Sequence, residues 1–296
     1  MDFSRMIDLH MHTTVSDGTD TPEEIIDKIR EAGIGLFSVT DHDAVKASRI
    51  IPPLLTKGDP AFLTGVEFSC RDESGRYHIL GYGYDPEAAS IRELTETGHR
   101  FRIGKVKARL DFLRTEFGFA FPKKELDALF ALDNPGKPHI ANMMVRLGYA
   151  RSKEQAIKEY INRIRFRNEY VRPEETIRAI LGGGGIPVLA HPIYGDGDQL
   201  IIGEEMDKRI RHLMDYGLQG VEVFYSGFTP RLCREMLSFA ERYDLYVTAG
   251  SDYHGTNKMV QLGDTDLGAP DEWPDGLRRF LTDISKETVQ IKIWNF

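Results

Sequence analysis

The sequence predicts an α/β protein organised around a barrel-like sheet. Seven short apolar or β-branched runs recur along its 296 residues, amphipathic stretches separate most of them, and the length suits one large domain or one domain carrying an insertion. The first run, MIDLHMH, reads as a strand; alternation turns His10 and His12 to the same face, with Asp17 close behind. The next stretch, DTPEEIIDKIREAG, reads as a helix with Thr21 as cap, Pro22 at the first helical position, Glu24 completing a capping box and Gly33 near the stop. GLFSVTDHD and AFLTGVEFS supply the following strands. EFSCRDESGRYHILGYGY passes from strand to strand through Asp-Glu-Ser-Gly, too short for a crossover helix, so an antiparallel hairpin is expected that brings His78 back toward Glu67.

Beyond the hairpin the rhythm breaks. Val106, Leu110, Leu113 and Phe117 recur at helical spacing, and residues 91–170 read as an inserted helical subdomain, with 1–90 and 171–296 forming the main domain. Between His99 and Lys124 eight lysines and arginines stand against Asp111 and Glu116. A solvated helix face and a basic wall facing an anionic substrate both account for that run. ILGGGGIPVLAHP returns the chain to the sheet, its glycines marking a loop and not a phosphate cradle, because no helix or Lys-Ser/Thr follows them. GVEVFYS and YVTAGSDYH complete the strands.

Composition removes several classes. A formal net charge of -8 disfavours a general nucleic-acid-coating role, and a long nucleic acid is not the expected partner. Cys70 and Cys233 stand far apart without CxxC partners, which supports neither a disulfide framework nor a thiolate zinc site and suits a reducing cytoplasm. Neither a signal-peptide apolar region nor a membrane span is read, so a cytoplasmic protein without membrane association is expected.

The chemistry gathers at the strand tips. His10, His12, His42, His78, His191 and His254 lie in or at the ends of the strand-like runs, joined by Asp17, Asp41, Asp43, Glu67 and Asp252. Each alone has an ordinary explanation as a turn, cap or hydrogen-bonded core residue. Together they would cost several kcal/mol in desolvation and repulsion unless cations compensate. An all-imidazole and carboxylate set points to zinc, manganese or iron, and such sites activate water for in-line phosphoryl displacement.

DLHMHTTVSDG, TDHD, GVEFS, YHILGY, AHP and SDYHG, in that order, resemble the polymerase-and-histidinol-phosphatase (PHP) family, and in particular its small bacterial phosphoesterases with a helical insertion. The resemblance implies a distorted (β/α)7 barrel with three divalent ions of manganese, iron or zinc. By matched position, His10, His12, Glu67 and Asp252 would hold the first; Glu67, His78 and His191 the second; Asp17, His42 and His254 the third. Glu67, Asp252 and His191, among the ligands of the first two, are the expected catalytic residues. The expected reaction is hydrolysis of a small phosphorylated sugar or nucleotide, a cyclic phosphate diester included, by a metal-bridging hydroxide. Asp41 and Asp43 are assigned to orienting ligand imidazoles.

Substrate contacts are read from the insertion and the sixth strand. GKPHIANM resembles a His-Ile-Ala segment of that subgroup, which makes Lys137 and His139 candidates, although Lys137 and Asn142 replace the arginines usual there. Arg102, Lys105 and Arg109 flank the apolar stripe of the helix before it, and of these Arg102 is the candidate to face the metals. Tyr225 or Phe228 is the expected wall for a sugar or base, with Tyr225 the candidate. A metal-dependent amidohydrolase or deaminase, and a noncatalytic metal-stabilised module, are the alternatives; the first would not require Asp17, TDHD, Glu67 and His254 together, and the complete ligand set weighs against the second.

Overall fold

A computed structural model describes residues 6–166, 169–195 and 199–285 and the backbone of 293–294. In chain order the strands are β1 (Met6–Asp8), β2 (Ile34–Phe37), β3 (Ala61–Leu63), β4 (Gly65–Asp72), β5 (Gly75–Tyr82), β6 (Ile186–Leu189), β7 (Gly220–Tyr225), β8 (Tyr246–Gly250) and β9 (Ile293–Trp294). The helices are α1 (Pro22–Glu31), α2 (Ala47–Ile50), α3 (Ala89–Phe117), α4 (Lys123–Phe130), α5 (Lys137–Arg146), α6 (Lys153–Gln155), α7 (Pro173–Gly182), α8 (Gly203–Met214), α9 (Pro230–Arg242) and α10 (Asp275–Ile284). Every strand-like run of the sequence contributes a strand, so the α/β class holds.

The strands fall into two sheets, ordered β1-β2-β3-β9 and β4-β5-β6-β7-β8. β1, β2 and β3 run parallel, as do β6, β7 and β8, whereas β5 is antiparallel to both β4 and β6. The expected hairpin is therefore present, with Ser69 opposite His78 and Glu67 opposite Leu80. Backbone bonds join the two sheets at two places: Leu9 N–H to Ala249 O at 2.9 Å and His12 N–H to Tyr253 O at 2.8 Å beside β1 and β8, and Asp43 N–H, past the end of β2, to Glu67 O at 2.9 Å in β4.

The first strand is shorter than its apolar run suggests. Regular pairing ends at Asp8, and His10 and His12 lie on the extended segment beyond it, where Met11 bridges Tyr253. The alternation survives: Leu9 and Met11 enter apolar clusters, which leaves the two imidazoles to the opposite side. α1 is built as its sequence dictates, with Thr21 Oγ1 accepting from Glu24 N–H at 3.2 Å and Glu24 Oε2 accepting from Thr21 N–H at 2.8 Å.

Between Ala89 and Arg163 helices are the regular elements of the described residues, joined by short turns and including a π turn at Ala156–Tyr160. Their apolar cluster draws only on residues from Val106 to Ile161, and it contains Val106, Leu110 and Leu113 with Phe117 packed against it. The N-terminal part of α3 belongs elsewhere: Ile91 and Leu94 join the cluster of β4, β5 and α7. One helix thus runs between two cores.

Candidate metal centre

Glu67 stands at the middle of the polar cluster. It is 1 % exposed, and imidazoles from four elements surround it. Its Oε1 lies 2.7 Å from His78 Nδ1 and 2.9 Å from His191 Nε2; its Oε2 lies 3.4 Å from His10 Nε2, 3.3 Å from His12 Nε2 and 3.0 Å from His42 Nδ1. Asp252 Oδ1 completes the inner group, 3.5 Å from His10 Nε2 and 3.3 Å from His12 Nε2. On the far side Asp17 Oδ1 lies 3.3 Å from His254 Nε2 and 4.0 Å from His42 Nε2.

Among the described residues, three sets of these side chains are close enough to share an ion: His10, His12 and Glu67; His42, Glu67 and His78; and His12, Asp17, His42 and His254. The donors also fit divalent cations chemically. His10 Nε2, His12 Nε2 and His42 Nδ1 are buried without a hydrogen-bond partner, although each faces carboxylate oxygen. Nitrogen and oxygen ligands about 2.0–2.2 Å from a tetrahedral ion sit about 3.3–3.6 Å apart, close to the separations around Glu67 and Asp252.

Charge balance points the same way. Burial opposes a proton on His12, but bonding and attraction to Asp252 and Glu67 outweigh it and raise its pKa to about 9. Burial likewise opposes charge on His10, yet Glu222, Asp252 and Glu67 hold its pKa well above the usual imidazole range. His78 behaves oppositely: burial lowers its pKa to about 3, with Arg76 adding to the effect against Glu67, so it presents a lone pair.

Neighbouring residues hold the clustered side chains in place. Asp41 accepts from Thr13 N–H at 2.8 Å, Thr13 Oγ1 at 2.7 Å and Ser16 Oγ at 2.7 Å, and Ser16 Oγ lies 3.3 Å from His12 Nδ1. It therefore orients the His12–Asp17 turn through hydroxyls, not by touching an imidazole. Asp43 accepts from Ser69 N–H at 2.9 Å and pairs with Arg102. Asp43, His191 and Asp252 all carry positive φ, of 50°, 26° and 57°, a conformation that costs a side-chain-bearing residue energy and persists only where the surroundings enforce it.

Three residues outside the sequence-read set complete the centre. Glu222, fully buried in β7, accepts from His10 Nδ1 at 2.8 Å and from His191 N–H at 2.7 Å. Asp8 accepts from Ser251 N–H at 2.9 Å and Ser251 Oγ at 2.6 Å, tying β1 to the segment that carries Asp252. Lys258 pairs with Asp252 Oδ2, which also accepts from Tyr225 Oη at 2.9 Å. An acid inside the apolar runs GVEVFYS and MIDLHMH was the available signal for the first two. Gly250 is required by close approach: a Cβ there would lie 2.2 Å from His10 Cβ and 2.8 Å from Glu222 Oε1.

The candidate substrate residues divide. Arg102 is committed to Asp43, and Tyr225 to Asp252. His139 Nδ1 accepts from Gly136 N–H at 3.0 Å at the start of α5, which leaves Nε2 for another partner. Lys137 Nζ donates to Asn162 Oδ1 at 2.6 Å.

The PHP domain profile matches residues 8–172, over half of the chain. The chain belongs to the PHP family. A 3',5'-nucleoside bisphosphate phosphatase of Chromobacterium violaceum is 27 % identical over 278 residues, covering 90 % of this chain and 92 % of that protein. A phosphoribosyl 1,2-cyclic phosphate 1,2-diphosphodiesterase of Eggerthella lenta is 30 % identical over 261 residues, covering 84 % and 94 %. A 5'-3' exoribonuclease of Salmonella typhimurium is 27 % identical over 274 residues, covering 88 % and 89 %. Among solved structures, an amidohydrolase from Chromobacterium violaceum with bound sulfate superposes with a TM-score of 0.80 at 26 % identity, covering 94 % of this chain and 96 % of the other.

Proposed function

We propose that this PHP protein is a metal-dependent phosphoesterase that releases phosphate from small phosphorylated sugars or nucleotides, cyclic diesters included. The convergence of six imidazoles and three carboxylates around Glu67, with ring nitrogens orphaned at ligand-like spacing, carries the reading. Three ions of manganese, iron or zinc suit the three groups: His10, His12, Glu67 and Asp252; Glu67, His78 and His191; Asp17, His42 and His254. When bound, such ions lower the pKa of water toward about 7 and neutralise phosphoryl oxygens.

The chain's own residues then perform the positioning. Glu67 sits where the first two groups meet, Asp252 and His191 flank it, and Glu222 fixes His10 in the tautomer that leaves Nε2 for the ion. Lys137 and His139 are the substrate contacts from the insertion; Tyr225, whose ring centre lies 5.5 Å from that of His191, is the wall beside the centre. The backbone bonds between the two sheets support a distorted (β/α)7 barrel, and the separate apolar cluster supports an insertion over 91–170 within a barrel of 1–90 and 171–296. Two unbridged cysteines support a cytoplasmic setting. RNA ends stand beside small esters as substrates because two classes of relative, phosphatase and exoribonuclease, match over similar lengths.

An amidohydrolase, the description of one structural neighbour, would leave Asp17, Glu67 and His254 without a shared purpose. Phosphate release from a panel of mono-, bis- and cyclic phosphate esters with added manganese tests the proposal. Turnover of several esters is expected; no release from any of them by metal-loaded protein would overturn it.

A further inference from the structure

A second group of charges stands beside the metal centre with too few counter-ions. Lys105, on α3 and 8 % exposed, has its ammonium 3.5 Å from the centre of the Tyr170 ring and no hydrogen-bond or ion-pair partner among the described residues. One turn further along α3, the Arg109 guanidinium lies 4.9 Å from the Phe166 ring centre, with its Nε buried and unpartnered. Lys137 has only the neutral Asn162 oxygen. Arg76 reaches from the hairpin, its Nη2 2.6 Å from His78 Nε2, and so links this group to the metal ligands.

The carboxylates in range are few. Asp43 is already taken by Arg102, and Glu169 acts on Arg109 without forming an ion pair among the described residues. Burial with mutual repulsion lowers Lys105 to about 7, Arg109 to about 10 and Lys137 to about 8; Arg76 contributes to all three, Arg109 to both lysines and Arg102 to Lys105 and Arg109. Desolvated cations facing one another are costly unless something negative joins them. Two guanidinium forks and two ammonium groups match a phosphate's oxygens better than a lone carboxylate, which has only two.

We propose that Arg76, Lys105, Arg109 and Lys137 form a second anion subsite, which takes a phosphate group of the substrate other than the one being cleaved. The subsite rests on the phosphoesterase reading for its role, but not for its existence. It selects substrates with two phosphates over those with one. The second phosphate can belong to a nucleoside bisphosphate or to the next nucleotide of an oligonucleotide, since both present the same group.

The test uses manganese-loaded protein with adenosine 3',5'-bisphosphate, 3'-AMP, 5'-AMP and a 5'-phosphorylated oligonucleotide, followed both by phosphate release and by equilibrium calorimetry. The bisphosphate is expected to exceed both monophosphates in kcat/KM and in affinity. Lys105→Met and Arg109→Met should each weaken the bisphosphate by about 10- to 100-fold and the monophosphates at least tenfold less, with metal content retained. A matching loss with the oligonucleotide assigns the subsite to nucleic acid ends as well; a loss confined to the bisphosphate assigns it to small esters. Equal losses on mono- and bisphosphate, or no preference in the parent protein, would overturn the subsite. Binding that depends on Lys105 without any turnover would overturn the phosphoesterase reading and leave the subsite standing.

Discussion

Glu222 offers the sharpest test of how the centre is held. Its two oxygens serve two donors, His10 Nδ1 at 2.8 Å and the His191 backbone N–H at 2.7 Å, inside a fully buried pocket. In Glu222→Gln the side-chain oxygen can face only one of them, so the amide NH2 opposes the other donor at nearly unchanged volume. Losing one charge-assisted bond costs about 1.5–3 kcal/mol, and each 1.4 kcal/mol is about tenfold in an equilibrium constant. Metal binding is therefore expected to weaken about 10- to 100-fold, the range usual for residues that orient metal-bound histidines. Competition against a chromogenic chelator gives the affinity directly, and ester hydrolysis across a manganese titration gives its consequence. Activity should return at high manganese. Wild-type affinity in the variant, or a loss that excess metal does not restore, would refute the reasoning.

Four further outcomes are expected. His12→Ala or Asp252→Asn should abolish metal-dependent turnover while circular dichroism shows the fold retained; activity in either would count against their place at the shared ion. Lys137→Ala or His139→Ala should raise KM or lower kcat with metal content unchanged by elemental analysis, and unaltered kinetics would remove the insertion from the substrate site. Gly250→Ala forces a methyl into His10 and Glu222, so stability should fall by about 1–3 kcal/mol with metal affinity falling alongside, measured by denaturant titration. Finally, the folded-state pKa of His12 is raised, to about 9 against an ordinary value of 6.5, so its stabilising contribution in chelator-treated protein is complete below about pH 6.5 and lost as pH rises through 9. Metal-loaded protein should show the opposite trend in apparent metal affinity, because loading displaces that proton; a metal-free Tm that climbs over this window would contradict the assignment.

Much of the centre could be read from the chain because its ligands break local patterns. A histidine at the tip of an apolar run, as at His10 or His191, is conspicuous before any partner is known. Glu222 was harder. It sits in a run that reads as a strand, and its meaning depends on His10, 212 residues away. Asp8 shares that difficulty, since it acts through Ser251, 243 residues away, whereas Lys258 lies in the same segment as its partner Asp252 and breaks no local pattern. The boundaries of β1 escaped for another reason: periodicity records which side chains face inward, and His10 and His12 keep that alternation after ladder pairing has ended at Asp8. In the basic run, composition gave an excess of charge but not its direction. Only the fold separates Arg102, held by Asp43, from Lys105, which faces an aromatic ring.

The 29-residue helix α3 carries one more implication. At 1.5 Å per residue it extends about 43 Å, and its two ends are embedded in different apolar clusters. One continuous element therefore ties the barrel side to the insertion, so side chains exchanged along that rod would alter which molecules are accepted without disturbing the imidazole cluster.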